Sequence, residues 1–141
     1  MTSYSNCKQT FLDTCVLIYF LEGHEVFGRQ VKKIMEKVET GATKAAISAL
    51  TMTELLTGPY RCNNELLALE YHGLLYYFPN LEIVDITLDI AVDAARIRGV
   101  YDIATPDSLL LATALQVKAD AFITSDKKLS GFKELEVLLI R

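Results

Sequence analysis

Short apolar runs alternate along this chain with longer stretches in which apolar side chains recur every three or four positions. The first pattern marks buried strands and the second amphipathic helices. Thr10-Phe11-Leu12, Ala45-Ala46-Ile47 and Ala121-Phe122-Ile123-Thr124 read as strands, Glu82 to Ile86 alternates like one, and Val137 to Ile140 closes the chain as another. Thr14 to Leu21 reads as a helix ended by Gly23. Phe27, Val31, Ile34, Met35 and Val38 form a stripe opposite Lys32, Lys33, Glu36 and Lys37, and Gly41 is placed as a C-cap residue. A helix through Glu54 is predicted to stop at Gly58-Pro59, and another covers Glu65 to Tyr77. Thr87 is placed to cap a helix whose stripe is Ile90, Ala94, Ile97 and Tyr101. The next begins at Thr105-Pro106, with proline where its missing N–H costs nothing. This alternation predicts an α/β fold, a three-layer sandwich around a mainly parallel sheet of about four to five strands.

Once those elements are drawn, four acids fall at related places. Asp13 directly follows the first strand and Asp126 follows Ala121–Ser125. Glu54 lies in the helical segment after the second strand, and Asp107 opens the helix that Pro106 begins. In an open α/β sheet such junctions gather at the carboxyl ends of the strands, where ligands bind. Each acid also has a structural reading: Asp13 as an N-cap, Thr51-Met52-Thr53-Glu54 as a capping box, Asp107 as a first-turn acid and Asp126 as a turn residue. Capping, however, is served equally well by Ser, Thr or Asn, and does not account for acids at all four junctions. Two carboxylates ~4 Å apart repel by roughly 4 kcal/mol at an effective dielectric of ~20. A converging set therefore calls for a cation, and hard oxygen ligands select Mg²⁺ or Mn²⁺.

The length of 141 residues predicts one domain over 1–141, burying about 68–70% of its unfolded surface. The chain is 51% hydrophobic and 23% charged, which argues against disorder. A net charge of −4 excludes a wholly basic nucleic-acid-binding surface, so any such contact needs a local basic patch. Three cysteines fit neither a disulfide framework nor a paired zinc spacing, and reduced thiols in a cytoplasmic protein are expected. The seven-residue run Cys15–Leu21 is far short of a membrane span, and the polar leader Met1–Asn6 shows no signal-peptide pattern.

Four segments carry a family resemblance. Phe11-Leu12-Asp13-Thr14-Cys15-Val16-Leu17-Ile18 resembles the opening motif of PIN-domain ribonucleases, the fold of VapC-type toxins. Ser48-Ala49-Leu50-Thr51-Met52-Thr53-Glu54-Leu55 resembles the second acidic motif of that family. Pro106-Asp107-Ser108-Leu109-Leu110-Leu111-Ala112-Thr113-Ala114 resembles the third, and Ile123-Thr124-Ser125-Asp126-Lys127-Lys128-Leu129 the fourth. Cys15 stands where the family often has Asn, and Ser125 where Asn or Arg is common. The resemblance implies a PIN-like fold and Mg²⁺- or Mn²⁺-dependent hydrolysis of RNA phosphodiesters, leaving 3′-hydroxyl and 5′-phosphate ends. Asp13 and Asp107 are the expected direct ligands, with Glu54 and Asp126 completing the cluster. It also implies a small antitoxin as partner and a homodimer as the working form.

Around the acids, Thr14, Ser48 and Thr124 are candidates to hold a carboxylate or a metal-bound water. Arg96, Arg98, Lys127 and Lys128 are candidates for phosphate binding. Their plain alternatives are cap hydroxyls and solvated cations. Tyr71, Tyr76, Tyr77 and Phe78 are aromatic enough to stack on bases, although a core or dimer face accounts for them better. Ser, His and Cys form no nucleophile–base constellation. The rival reading is a non-catalytic PIN-like module that binds RNA or protein. A receiver-like domain lacks its paired acid and mid-chain Asp here, and a phosphatase Asp-x-Asp fails because Cys15 occupies the second position.

Overall fold

A computed structural model describes residues 7–141; the polar leader, and the signal-peptide reading that rests on it, lie outside them. Among the described residues, five strands form one all-parallel sheet: β1 (Gln9–Leu12), β2 (Lys44–Ser48), β3 (Leu81–Val84), β4 (Ala121–Thr124) and β5 (Glu136–Leu139). Their spatial order is β3-β2-β1-β4-β5. Six helices connect them: α1 (Thr14–Glu22) and α2 (Gly28–Thr40) after β1, α3 (Ala49–Arg61) and α4 (Glu65–Tyr76) after β2, α5 (Leu88–Tyr101) and α6 (Thr105–Gln116) after β3. A 3₁₀ turn, Lys127–Gly131, joins β4 to β5. From β1 the chain works outward to β3, then returns to the other side of β1 with β4. The switch point of the sheet therefore lies between β1 and β4, and in such sheets the ligand crevice opens there, beyond the strand ends.

Strand alternation divides the core into two layers. Leu12, Ala45, Ile47 and Ile123 face α1 and α2, packing with Val16, Leu17, Val31, Ile34, Met35 and Val38. Their neighbours Phe11, Ala46 and Phe122 face the other way, against Ile90, Ala94 and Ile97 of α5 and Leu110, Leu111 and Ala114 of α6. Phe11 and Phe122 are partners across β1 and β4, with ring centroids 5.6 Å apart. The predicted stripes of α2 and α5 thus land on the core, and Gly23 and Gly41 end α1 and α2 in the left-handed conformation.

Three details differ from the sequence expectation. The helix expected to end at Gly58-Pro59 runs through both to Arg61. Proline removes one i→i−4 bond there, close to the helix end, and its buried ring offsets the loss. The strand expected over Glu82–Ile86 ends at Val84, because its partner β2 stops at Ser48 and the chain then turns into α3. The Thr51–Glu54 capping box does not form: Ser48 is the N-cap, accepting from Leu50 N–H, and Thr51 lies buried inside the first turn. Among the described residues, no helix is long and apolar enough to cross a membrane.

Candidate metal-binding acidic site

Asp13 follows β1 beside the switch point, with its backbone N–H bonded to the Ile123 carbonyl of β4 at 3.0 Å. It is the N-cap of α1, and Oδ1 accepts from Thr14 N–H at 2.8 Å. Its other oxygen, Oδ2, accepts from the buried Thr124 hydroxyl at 2.6 Å and from Cys15 Sγ at 3.8 Å. Capping therefore occupies one oxygen, and the two readings of Asp13 are compatible. Burial raises its pKa, opposed by the Thr124 and Thr14 hydrogen bonds and reinforced by Glu54.

Glu54 lies on α3, at the solvent edge. Freed from any capping box, its Oε1 accepts from the Thr14 hydroxyl at 2.7 Å, and that hydroxyl also meets Thr51 Oγ1 at 3.0 Å. Thr14 thus joins the two acidic segments through backbone and side chain at once. Asp126, beyond β4, caps the 3₁₀ turn by accepting from Lys128 N–H at 3.0 Å, and its own N–H donates to Thr124 Oγ1 at 3.0 Å. Thr124 consequently connects Asp13 to Asp126. Ser48, fully buried, serves as the cap of α3 and touches none of the acids through a side-chain hydrogen bond.

Asp107 is half-buried in the first turn of α6, a helix whose N-cap residue, Ala104, offers no side-chain acceptor. Its pKa is raised from 3.8 to about 6, first by burial and then by the charges of Asp13, Asp126 and Glu54, against a smaller opposing effect of Lys128. The charges of acids from three other segments reach Asp107, and Thr14 and Thr124 bond Asp13 to Glu54 and to the Asp126 backbone. The acids do not form a closed ligand shell as they stand: among the described residues, no three His, Cys, Asp or Glu side chains are set to hold one ion together. What fits a divalent cation is the donor chemistry, an all-carboxylate set whose mutual repulsion at Asp107 is opposed by a smaller effect of Lys128.

The two positions that depart from the family pattern touch each other. Ser125 donates to Cys15 Sγ from its N–H (3.5 Å) and its hydroxyl (3.4 Å), and the Tyr19 hydroxyl meets Ser125 Oγ at 3.0 Å. Burial, followed by the charge of Asp13, raises the Cys15 pKa, which keeps the thiol as a donor toward Asp13.

The candidate phosphate-binding residues separate. Arg96 commits Nε to Asp93 (2.8 Å) and Nη1 and Nη2 to both oxygens of Glu134 (2.9 and 2.8 Å), so it acts as a cross-link between α5 and the chain before β5. Arg98 donates to the Ile103 carbonyl and holds the α5–α6 turn. Both guanidiniums are thus engaged within the fold, Arg96 by carboxylates and Arg98 by a carbonyl. Lys127 and Lys128 are exposed and face different surroundings, Lys128 toward Asp107 and Lys127 along a cavity with Arg141. His24 is structural, its Nδ1 accepting from Val26 and Phe27 N–H at 3.1 Å each. Phe78 is buried against Phe20, whereas Tyr76 and Tyr77 are exposed.

The PIN domain family profile matches residues 10–135, and the chain belongs to that family. Among solved structures, it is similar to a chain of a toxin–antitoxin complex from Klebsiella pneumoniae, at 25% identity and TM-score 0.73, covering 94% of this chain and 98% of that one. Rickettsia felis VapBC2, bound to a promoter DNA fragment, gives 17% identity and TM-score 0.76 over 94% and 99%. Mycobacterium tuberculosis VapC20, a Sarcin-Ricin loop cleaving toxin, gives 13% and 0.65 over 80% and 86%. A search of curated proteins returns no match.

Proposed function

We propose that this protein is a Mg²⁺- or Mn²⁺-dependent endoribonuclease and the toxin of a toxin–antitoxin pair. The observation that carries the reading is the hydrogen-bond geometry by which Thr14 bonds both Asp13 and Glu54 and Thr124 bonds both Asp13 and the Asp126 backbone, with the charges of these acids raising the pKa of Asp107. Membership of the PIN family and the likeness to VapC-type toxin structures support it. Asp13 and Asp107 would hold the metal directly, and Glu54 and Asp126 would complete the set. A divalent ion there supplies activation of water and neutralises charge building on a phosphodiester. The chain's own residues prepare that chemistry. Thr14 N–H, Thr124 and Cys15 orient Asp13, while the Thr14 hydroxyl orients Glu54. Glu54, at the solvent edge, is the acid assigned to accept the proton of the attacking water.

Asp13→Asn is the decisive variant. Asn remains a good N-cap, so α1 is kept while a ligand oxygen is lost. Purified Asp13→Asn protein is expected to lose Mg²⁺- and Mn²⁺-dependent RNA cleavage while retaining its circular dichroism spectrum. Calorimetry is expected to show Mn²⁺ binding by the unaltered protein and none by the variant. Cleavage undiminished in Asp13→Asn would refute the site. Wild-type protein with no Mn²⁺ binding and no RNase activity would return the non-catalytic module.

The antitoxin is assigned to an apolar cleft of about 410 Å³ lined by Ile18, Leu21, Leu55, Pro59, Leu67 and Tyr71, with Glu54 also on its wall. A partner segment seated there would cover Glu54, and solved relatives include a chain of a toxin–antitoxin complex. The homodimer rests on the exposed Leu66, Leu69 and Tyr76 of α4, Tyr77 just after it, and Leu88 and Val92 of α5. Sedimentation as a monomer at every concentration would dismiss it.

A further inference from the structure

We propose that a second cavity, next to the acids, seats an unpaired nucleotide of the RNA beside the cut. Its phosphate is met by Lys127 and Arg141, and its base lies against the wall formed by Phe27, Leu139 and Ile140. The proposal rests on the ribonuclease reading and adds to it a place for the substrate. The cavity measures about 670 Å³, inside the about 300–1,000 Å³ span of ligand clefts. Ser125 and Lys127, the residues on either side of Asp126, both line it, so the cavity adjoins the segment that carries one of the four acids.

Charge and chemistry choose the occupant. In a chain of net charge −4, Lys127 and Arg141 are cations that form no ion pair among the described residues, where both salt bridges belong to Arg96. The site is also held in shape: Ser130 donates to the Lys127 carbonyl at 2.6 Å, and Arg141 N–H donates to Gln30 Oε1 of α2 at 3.0 Å. Phe27 is fixed in turn by Tyr19 and by His24, whose ring stacks on it at 5.3 Å. Cations beside an aromatic and aliphatic wall match a phosphate beside the face of a base. A duplex hides that face within its stack, so the ligand class is single-stranded RNA.

The test uses the full chain carrying Asp13→Asn, which keeps the RNA intact, and a fluorescein-labelled single-stranded oligoribonucleotide read by anisotropy. Adding Lys127→Glu with Arg141→Glu is expected to weaken binding at least about tenfold and to flatten the salt dependence by roughly 0.7 in slope for each phosphate left without its cation. Phe27→Leu, which keeps apolar bulk without a ring, is expected to weaken binding by about fivefold or more with the slope unchanged. Unchanged affinity and slope in the double charge variant would overturn the cavity while wild-type cleavage left the ribonuclease reading standing. Equal competition by the duplex of the same sequence would overturn it too. Wild-type protein that neither binds nor cleaves RNA would end both.

Discussion

Glu134 and Asp107 are both carboxylates near a helix, and their surroundings treat them in opposite ways. Arg96 donates to both oxygens of Glu134, and those bonds, aided by Tyr101, hold its pKa below the ordinary value. Asp107 meets burial and three further acids, and its pKa climbs to about 6. The first cluster is closed: acids and a cation satisfy one another, and the result ties α5 to the chain before β5. The second is left open. Its acids are oriented by neutral donors such as Thr14 and Thr124, and the charge of Lys128 opposes the shift at Asp107 less than burial and the three acids drive it. Carboxylates arranged to stabilise the fold would look like Glu134. Acids kept together without such compensation are what the proposed metal site requires.

The largest effect that tests this contrast is catalytic. Asp107→Asn is expected to lower RNA cleavage at saturating Mg²⁺ at least about 100-fold, about 2.7 kcal/mol of barrier. Glu134→Gln is expected to leave the rate within about twofold. Equal losses in the two variants, measured as initial rates on one RNA, would erase the distinction between the open and the closed cluster.

A smaller loss is expected from the neutral scaffold. Thr124→Val keeps the shape of a fully buried side chain while removing both the donor to Asp13 and the acceptor of Asp126 N–H. Leaving those groups unsatisfied costs about 1–3 kcal/mol in urea unfolding. Misplacing two proposed ligands lowers cleavage by about 10- to 100-fold, as loss of outer support does at metal sites. Thr124→Ser restores the hydroxyl and is expected to recover most of the rate. Failure of that rescue would show that the methyl group, not the hydrogen bonds, matters.

How much of this was legible in the sequence depends on range. Asp13 and Asp126 could be placed because each follows a strand within a residue or two, and parallel strands end on one side. The link from Thr14 to Glu54 spans 40 positions and could not, since no local pattern states which hydroxyl a helical Glu will reach. The same holds for Arg96, whose guanidinium reads as a free cation until Glu134, 38 residues on, closes on it. Lys127 and Lys128 look equivalent in sequence, and the 3₁₀ turn sends them to different neighbours. Gly58-Pro59 misled in the other direction. The local rule for a helix stop was sound, and tertiary burial of Pro59 overrode it.

Stability without metal provides a third test. A carboxyl whose folded pKa is raised to about 6 from 3.8 would cost about 3 kcal/mol if wholly shielded. Asp107 is half open to solvent, so screening reduces this to about 1 kcal/mol. The sign follows from linkage: the folded state binds the extra proton, so its stability falls as pH rises from about 4 to 6 and stays low above that. Asp107→Asn is therefore expected to raise the melting temperature at pH 7 by about 3 °C in chelator, with the gain gone near pH 4. Addition of Mn²⁺ should stabilise the unaltered protein and not the variant. A gain that is independent of pH would assign the effect to packing.

The smallest effect has the opposite sign. Glu134 has a lowered folded pKa, so its contribution is present above the ordinary carboxylate range and disappears as pH falls through the folded value. Its pair with Arg96 is about a third exposed on the Glu side, which limits the stabilisation to about 0.5 kcal/mol despite the two-bond geometry. Glu134→Gln is thus expected to lower the melting temperature by about 1–2 °C at pH 7, less in high salt, and by nothing measurable at low pH. Metal should not alter that loss, because no proposed ligand is involved. Plotted against pH, the two variants would part in opposite directions above about pH 4, Asp107→Asn upward and Glu134→Gln downward. Curves of the same sign would mean that the acids at the sheet edge are compensated within the fold after all, and that no external cation is called for.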